Sequence, residues 1–157
     1  MTTWKLPPRA KVFEALTALA DGRVDLAGPG EARVRSSAGD KTYTVEWTDE
    51  GTSITSNDNA SYWQGYAGYP ILAVLMALGT LRVDARAAQQ LAGVDWHDLN
   101  RRFRRDYDAA VSHVLSAAEA RGEDARAIER QVDDVMEQLA SLEVQRPARS
   151  RRPPKAG

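Results

Sequence analysis

Cysteine is absent from all 157 residues. That one absence excludes disulfides, thiolate metal sites, thiol nucleophiles and dithiol redox motifs together. A reducing compartment suits such a chain, and a cytoplasmic location is expected. Histidine is scarce, with only His97 and His113. Both fall on one predicted helix, sixteen residues and so roughly 24 Å apart at ~1.5 Å per residue. They cannot act on one substrate atom or share a metal within one chain. No serine stands in a nucleophile elbow, and no glycine pattern makes a phosphate loop. Long apolar runs are missing too. The longest, Ile71 to Leu81, is far shorter than the ~20 residues needed to cross a bilayer. Met1-Thr2-Thr3-Trp4-Lys5 has no apolar core of the signal-peptide kind. The expectation is no membrane, no cofactor and no catalytic residue.

What remains is the composition of one globular domain, 43% hydrophobic and long enough to bury a core unaided. Its net charge of −1 hides an asymmetry. The last twelve residues carry Arg146, Arg149, Arg151, Arg152 and Lys155 and no acid, for +5. The body, 1–145, is then −6. A disordered basic tail from Arg146 is expected, able to hold nucleic acid without sequence preference through counterion release.

Pro7 and Pro8 open a helix with Val12, Phe13, Leu16 and Leu19 at helical spacing, closed at Asp21-Gly22. Ala32 to Ser37, Lys41 to Thr48 and Thr52 to Ser56 read as strands. In the second, Tyr43, Val45 and Trp47 share one face. An apolar helix starts at Pro70. Asp84 caps a short helix, and Asp95 caps one running to about Ala120. A last helix spans about Asp124 to Leu142, with Ile128, Val132, Val135, Leu139 and Leu142 as a heptad-like seam. The predicted fold is α+β: an N-terminal helix, a three-stranded antiparallel meander, an apolar central helix, then an antiparallel helical hairpin and the tail. Apolar positions on the last two helices make a homodimer an expected assembly.

Ser56 to Pro70 is the most unusual stretch. Tyr62, Trp63, Tyr66 and Tyr69 could form one platform for a flat ligand or a partner, since such rings give large contact area at low entropy cost. Asn57, Asp58, Asn59 and Gln64 could supply directed hydrogen bonds. Tyrosines that merely fill space between sheet and helix, with hydroxyls reaching water, are the plainer alternative. The amide–carboxylate triplet is not a calcium loop, because no Glu follows before Glu119.

Ala85 to Phe103 resembles a helix-turn-helix, with Gly93 in the turn. The resemblance implies that His97, Asp98, Asn100 and Arg101 reach base edges or phosphates and that Arg104 and Arg105 contact backbone. The Arg101 to Arg105 cluster could equally pair with nearby acids. The leading expectation is a non-catalytic binding protein, for an unknown protein or small molecule, with its site at Asn57 to Tyr69. The alternative is a nucleic-acid-associated regulator using His97, Asn100, Arg101, Arg104, Arg105, Arg149, Arg151 and Arg152. A small enzyme centred on Asp58 is the third.

Overall fold

The computed structural model describes residues 2–148 and 150–154, and of Glu50 only the backbone. It is a mixed α and β structure. Its strands are β1 (Thr2–Thr3), β2 (Val24–Gly28), β3 (Glu31–Arg35), β4 (Thr42–Thr48), β5 (Ser53–Ser56) and β6 (Gln145–Arg146). The helices are α1 (Arg9–Ala20), α2 (Tyr69–Leu78), α3 (Ala85–Gln89), α4 (Trp96–Arg102), α5 (Tyr107–Ala120) and α6 (Ala125–Leu142). One sheet has the order β1-β6-β5-β4-β3-β2.

The sheet therefore has six strands, where the sequence predicts three. β2 pairs antiparallel with β3, but Asp25, Ala27 and Gly28 disguise it as loop, because an edge strand does not need a regular apolar alternation. β1 and β6 are two residues each, too short to show any period. β6 runs parallel to β5 and antiparallel to β1, so the two ends of the chain meet. Arg146, expected as the first residue of the tail, is thus a strand residue. Beyond it, the Arg151 guanidinium pairs with Glu46 at 2.9 Å, and Pro147 lines a cleft with Glu46, Ser53 and Thr55. This segment lies on the polar face of the sheet. Arg149 and Lys155 lie outside the described residues.

Opposite residues on neighbouring strands share a face. Val34 faces Tyr43, Ala32 faces Val45 and Trp47 faces Ile54. That apolar face is covered by α2, whose residues Ile71 to Leu75 are fully buried. α1 lies over α2, and α3, α5 and α6 surround α1. α1 is consequently buried nearly all round, including Glu14 and Thr17. The Thr17 hydroxyl donates to the Leu91 carbonyl at 2.8 Å and accepts from the Trp96 indole at 2.9 Å. Both of its hydrogen-bonding roles are thereby used, as burial requires.

The long helix expected from Asp95 to Ala120 is broken. α4 ends at Arg102, Arg104 and Arg105 take left-handed φ values of 52° and 64°, and Asp106 caps α5 by accepting from the Ala109 amide at 3.1 Å. A good cap inside a helical pattern lets the chain restart in a new direction. His97 and His113 therefore sit on different helices, with His113 against the Phe103 ring at 5.6 Å. α6 packs on α1 and α3 as well as on α5. Its seam residues Ile128, Val132, Val135 and Leu139 are buried and Leu142 partly so. Among the described residues no helix is long and apolar enough to cross a membrane.

Burial of α2 sets the stability scale. Leu72→Ala is expected to lower the unfolding free energy by about 2–5 kcal/mol. Leu26→Ala, at a side chain 54% exposed, should change it by under about 1 kcal/mol. Urea denaturation of both variants checks this, and equal losses would place the core elsewhere.

Candidate functional site

The segment between β5 and α2 begins by extending the sheet with a side chain. Asn57 accepts from the Thr44 amide through Oδ1 at 2.8 Å, while its own amide donates to the Thr44 carbonyl at 3.3 Å. Asp58 follows, buried. Its Oδ2 accepts from the Ser61 amide at 3.0 Å, a local bond that starts the next turn. Ser61 is fully buried, and its hydroxyl accepts from the Gly68 amide at 2.9 Å. Asp58, Ser61 and Gly68 thus tie the loop's two ends together just before α2. Asp58 Oδ1 is buried and has no hydrogen-bond partner among the described residues.

Only glycine fits at 68. A Cβ there would overlap Asp58 Oδ2 and stand 2.9 Å from the Ser61 hydroxyl. Between the two ends, Ala60–Gln64 make one wide π-helical turn closed by Gly65, which is left-handed at φ 77°. The turn pushes its middle outward. Trp63 is 69% exposed and meets the half-buried Tyr62 ring edge-on at 4.6 Å. Asn59 and Gln64 are exposed beside it.

The four rings do not make one platform. Tyr62 and Trp63 face solvent as a pair, while Tyr69 meets the Tyr43 ring edge-on at 6.3 Å. Tyr66 feels the charges of Lys11 and Glu14, and Tyr69 that of Glu14; these are two α1 residues not singled out from the sequence. Lys11 pairs with Glu14 at 3.0 Å, both side chains nearly buried, and its ammonium lies 4.9 Å from the centre of the Tyr107 ring. The Asn100 amide donates to Glu14 Oε1 at 3.2 Å. Burial raises the phenol pKa of Tyr43, Tyr66 and Tyr69, and the Asp58 charge adds to each shift. For Lys11, burial works downward. The Glu14 carboxylate and its hydrogen bond work upward and, with Tyr66 and Tyr107, leave the ammonium pKa raised. One signal was visible in the sequence: two charges at i and i+3 amid Val12, Phe13, Ala15 and Leu16 on a helix otherwise apolar in its middle.

The exposed half of the segment borders a cleft of about 370 Å³, lined by Thr2, Thr3, Lys5, Trp63, Gln64, Gly65 and Arg146. The Arg146 guanidinium lies 4.7 Å from the Trp4 ring centre and donates to the Tyr62 carbonyl at 3.3 Å.

The nucleic-acid residues are scattered by comparison. Arg101 pairs with Asp98 at 3.0 Å and Arg102 reaches the same carboxylate at 3.8 Å. Asn100 is held by Glu14 and Arg151 by Glu46. His97, Arg104, Arg105 and Arg152 are exposed, the two middle arginines without an ion pair among the described residues. The two helices of the helix-turn-helix resemblance are five and seven residues long. Among the described residues no three His, Asp or Glu side chains are grouped to hold a metal.

A family model described as Uncharacterised conserved protein UCP014422 matches residues 4–145. The chain belongs to this family. The match spans both the 57–69 segment and the Lys11 cluster. No curated protein and no solved structure matches the chain.

Gly68→Ala is expected to cost about 2–3 kcal/mol through overpacking alone, since Gly68 has an ordinary φ of −72°. A change under about 0.5 kcal/mol in urea denaturation would mean the knot relaxes freely. A second expectation concerns alkaline pH. Lys11, Tyr43, Tyr66 and Tyr69 hold their protons more tightly folded than unfolded, so their contribution is whole below about pH 10 and is lost as pH rises through the folded values. The urea midpoint should be level from about pH 7 to 9 and fall above about pH 10, with the Tyr43, Tyr66 and Tyr69 phenols ionising late in an absorbance titration. Those three titrating near the ordinary ~10 would contradict it.

Proposed function

We propose that this is a non-catalytic binding protein whose contact surface is the outward half of the 57–69 segment, centred on Trp63. The observation that carries the reading is a tryptophan 69% exposed on a segment whose buried residues are locked by hydrogen bonds. Tryptophan is normally well buried, and exposed aromatics on a rigid base lose little entropy when they dock. The locked half is Asn57, Asp58 and Ser61; the contact half is Tyr62, Trp63 and Gln64. Tyr66, near Lys11, and Tyr69, against Tyr43, lie outside the contact half. We assign the protein to the cytoplasm, which suits a cysteine-free chain.

The enzyme reading has less support. Asp58 commits Oδ2 to the Ser61 amide, which makes it a part of the scaffold. The nucleic-acid reading rests on Arg104 and Arg105, whose successive left-handed conformations hold two cations, without an ion pair among the described residues, on one exposed turn; Asn100, Arg101 and Arg151, also named for it, are engaged by Glu14, Asp98 and Glu46.

Trp63→Ala should leave the unfolding free energy within about 0.5 kcal/mol. It should weaken any ligand recovered from a thermal-shift screen of metabolites by at least about tenfold, or ~1.4 kcal/mol. A ligand that binds the variant as tightly as the parent protein, or a stability loss above about 2 kcal/mol, would return Trp63 to a structural role.

A further inference from the structure

The cleft beside Trp63 has a feature that the aromatic segment alone does not explain. Two cations from opposite ends of the chain converge on Gly65. Measured from the point a Cβ on Gly65 would occupy, Arg146 Nη1 is 3.3 Å away and Lys5 Nζ is 3.9 Å away. The two nitrogens are therefore at most about 7 Å apart, a gap that two oxygens of one phosphate can bridge with charge-assisted hydrogen bonds of ~2.8 Å. Gly65 is left-handed and has no side chain, so the space between the cations stays open.

No ion pair involves Lys5 or Arg146 among the described residues, although Arg9, Arg23, Arg33, Arg35, Arg101 and Arg121 are all paired. No acidic residue lines the cleft. The larger cleft between α3 and α6, about 800 Å³, is different. It contains Asp84, Glu123, Asp124 and Asp134 beside its arginines, and Arg130 already reaches Asp124 at 3.9 Å. A positive, acid-free cleft on a body of charge −6 is a local arrangement and not a by-product of overall charge.

Arg146 is also held in position. Its guanidinium stacks on Trp4 and spends Nη2 on the Tyr62 carbonyl, leaving Nη1 toward Gly65. The Lys5 backbone amide donates to the Gly65 carbonyl at 3.1 Å, which ties the second cation's root to the same loop. An anion binding there gains from a guanidinium ordered in advance.

We propose that this cleft binds a small ligand bearing a phosphate and a flat ring, of the nucleoside monophosphate kind: the phosphate sits between Lys5 and Arg146, and the ring lies against Trp63. Thr2, Thr3 and Gln64 line the same cleft and are of a polar kind that suits the ligand's remaining groups. About 370 Å³ is at the small end of ligand pockets, which suits a mononucleotide. The proposal rests on the reading of Trp63 as a contact residue, and it adds the ligand's chemistry.

The test is calorimetric titration of the full chain with the four ribonucleoside monophosphates, phenyl phosphate, the matching nucleosides and inorganic phosphate, at two salt concentrations. A nucleoside monophosphate should bind at least tenfold more tightly than its nucleoside, and more weakly at the higher salt. Lys5→Glu should remove at least tenfold of that affinity while leaving the nucleoside unaffected, and Trp63→Ala should weaken nucleotide and nucleoside alike. Arg146 also braces Trp4, so Lys5, exposed and free of such contacts, is the deciding position. No binding by any phosphate probe, or equal affinity of parent protein and Lys5→Glu, would overturn the anion site. A ring compound that still binds and is lost in Trp63→Ala would then leave the Trp63 reading standing. Binding lost in Lys5→Glu but kept in Trp63→Ala would keep the anion site and remove Trp63 from it. A single-stranded oligonucleotide binding a hundredfold more tightly than any mononucleotide would overturn the small-ligand assignment in favour of a strand-binding groove.

Discussion

Burial of α2 is the constraint on which the other elements depend. Its residues from Ile71 to Leu75 are apolar with no polar face, so it cannot lie on a surface. It must be covered on one side by a sheet and on the other by helices. β2 to β5 supply the first cover and α1 the second. That leaves α1 itself sandwiched, and α3, α5 and α6 close around it. A helix this enclosed tolerates polar groups only where they find partners. Thr17 finds Leu91 and Trp96; Glu14 finds Lys11 and Asn100.

The segment before α2 inherits its shape from this. The chain must pass from the end of β5, a strand of the sheet, into a helix stacked on that same sheet. The Asp58–Ser61–Gly68 knot makes the reversal, and the space allowed to Gly68 is so small that a methyl group would collide with Asp58. Fixing both ends of a short loop forces its middle outward. Trp63 is exposed because residues on either side of it are not free to move it in. The tyrosines divide accordingly, Tyr62 beside the exposed Trp63, Tyr66 near Lys11 and Tyr69 against Tyr43.

Electrostatically, nine of the sixteen described arginines are paired with acids close by, which is what a body with more acids than bases permits. Pairs of this exposed kind add little stability individually. Their effect is rather to cancel positive charge over most of the surface. Among the cations with no ion pair in the described residues are Lys5 and Arg146 beside Gly65, and Arg104 and Arg105 on the turn between α4 and α5. The first two share a cleft with an exposed aromatic ring, and that combination distinguishes them from the second pair.

The sequence by itself determined what depends on near neighbours. The apolar helix after Pro70, the end of α1 at Asp21-Gly22, the aspartate caps at 84 and 95 and the start of the last helix near Asp124 were all legible, because capping and amphipathic spacing act within one or two turns. So was the singularity of the 57–69 segment. Tertiary structure decided everything that joins distant parts of the chain. β1 and β6 have no periodic signal at two residues each, and they exist only because Thr2 meets Arg146 across the whole sequence. Their pairing brings Lys5 to Arg146. The division of the four aromatic rings, the burial of Glu14 and the break between Arg102 and Tyr107 have the same origin. Local propensity leaves each of these choices nearly balanced, and packing against elements remote in sequence supplies the free energy that settles them.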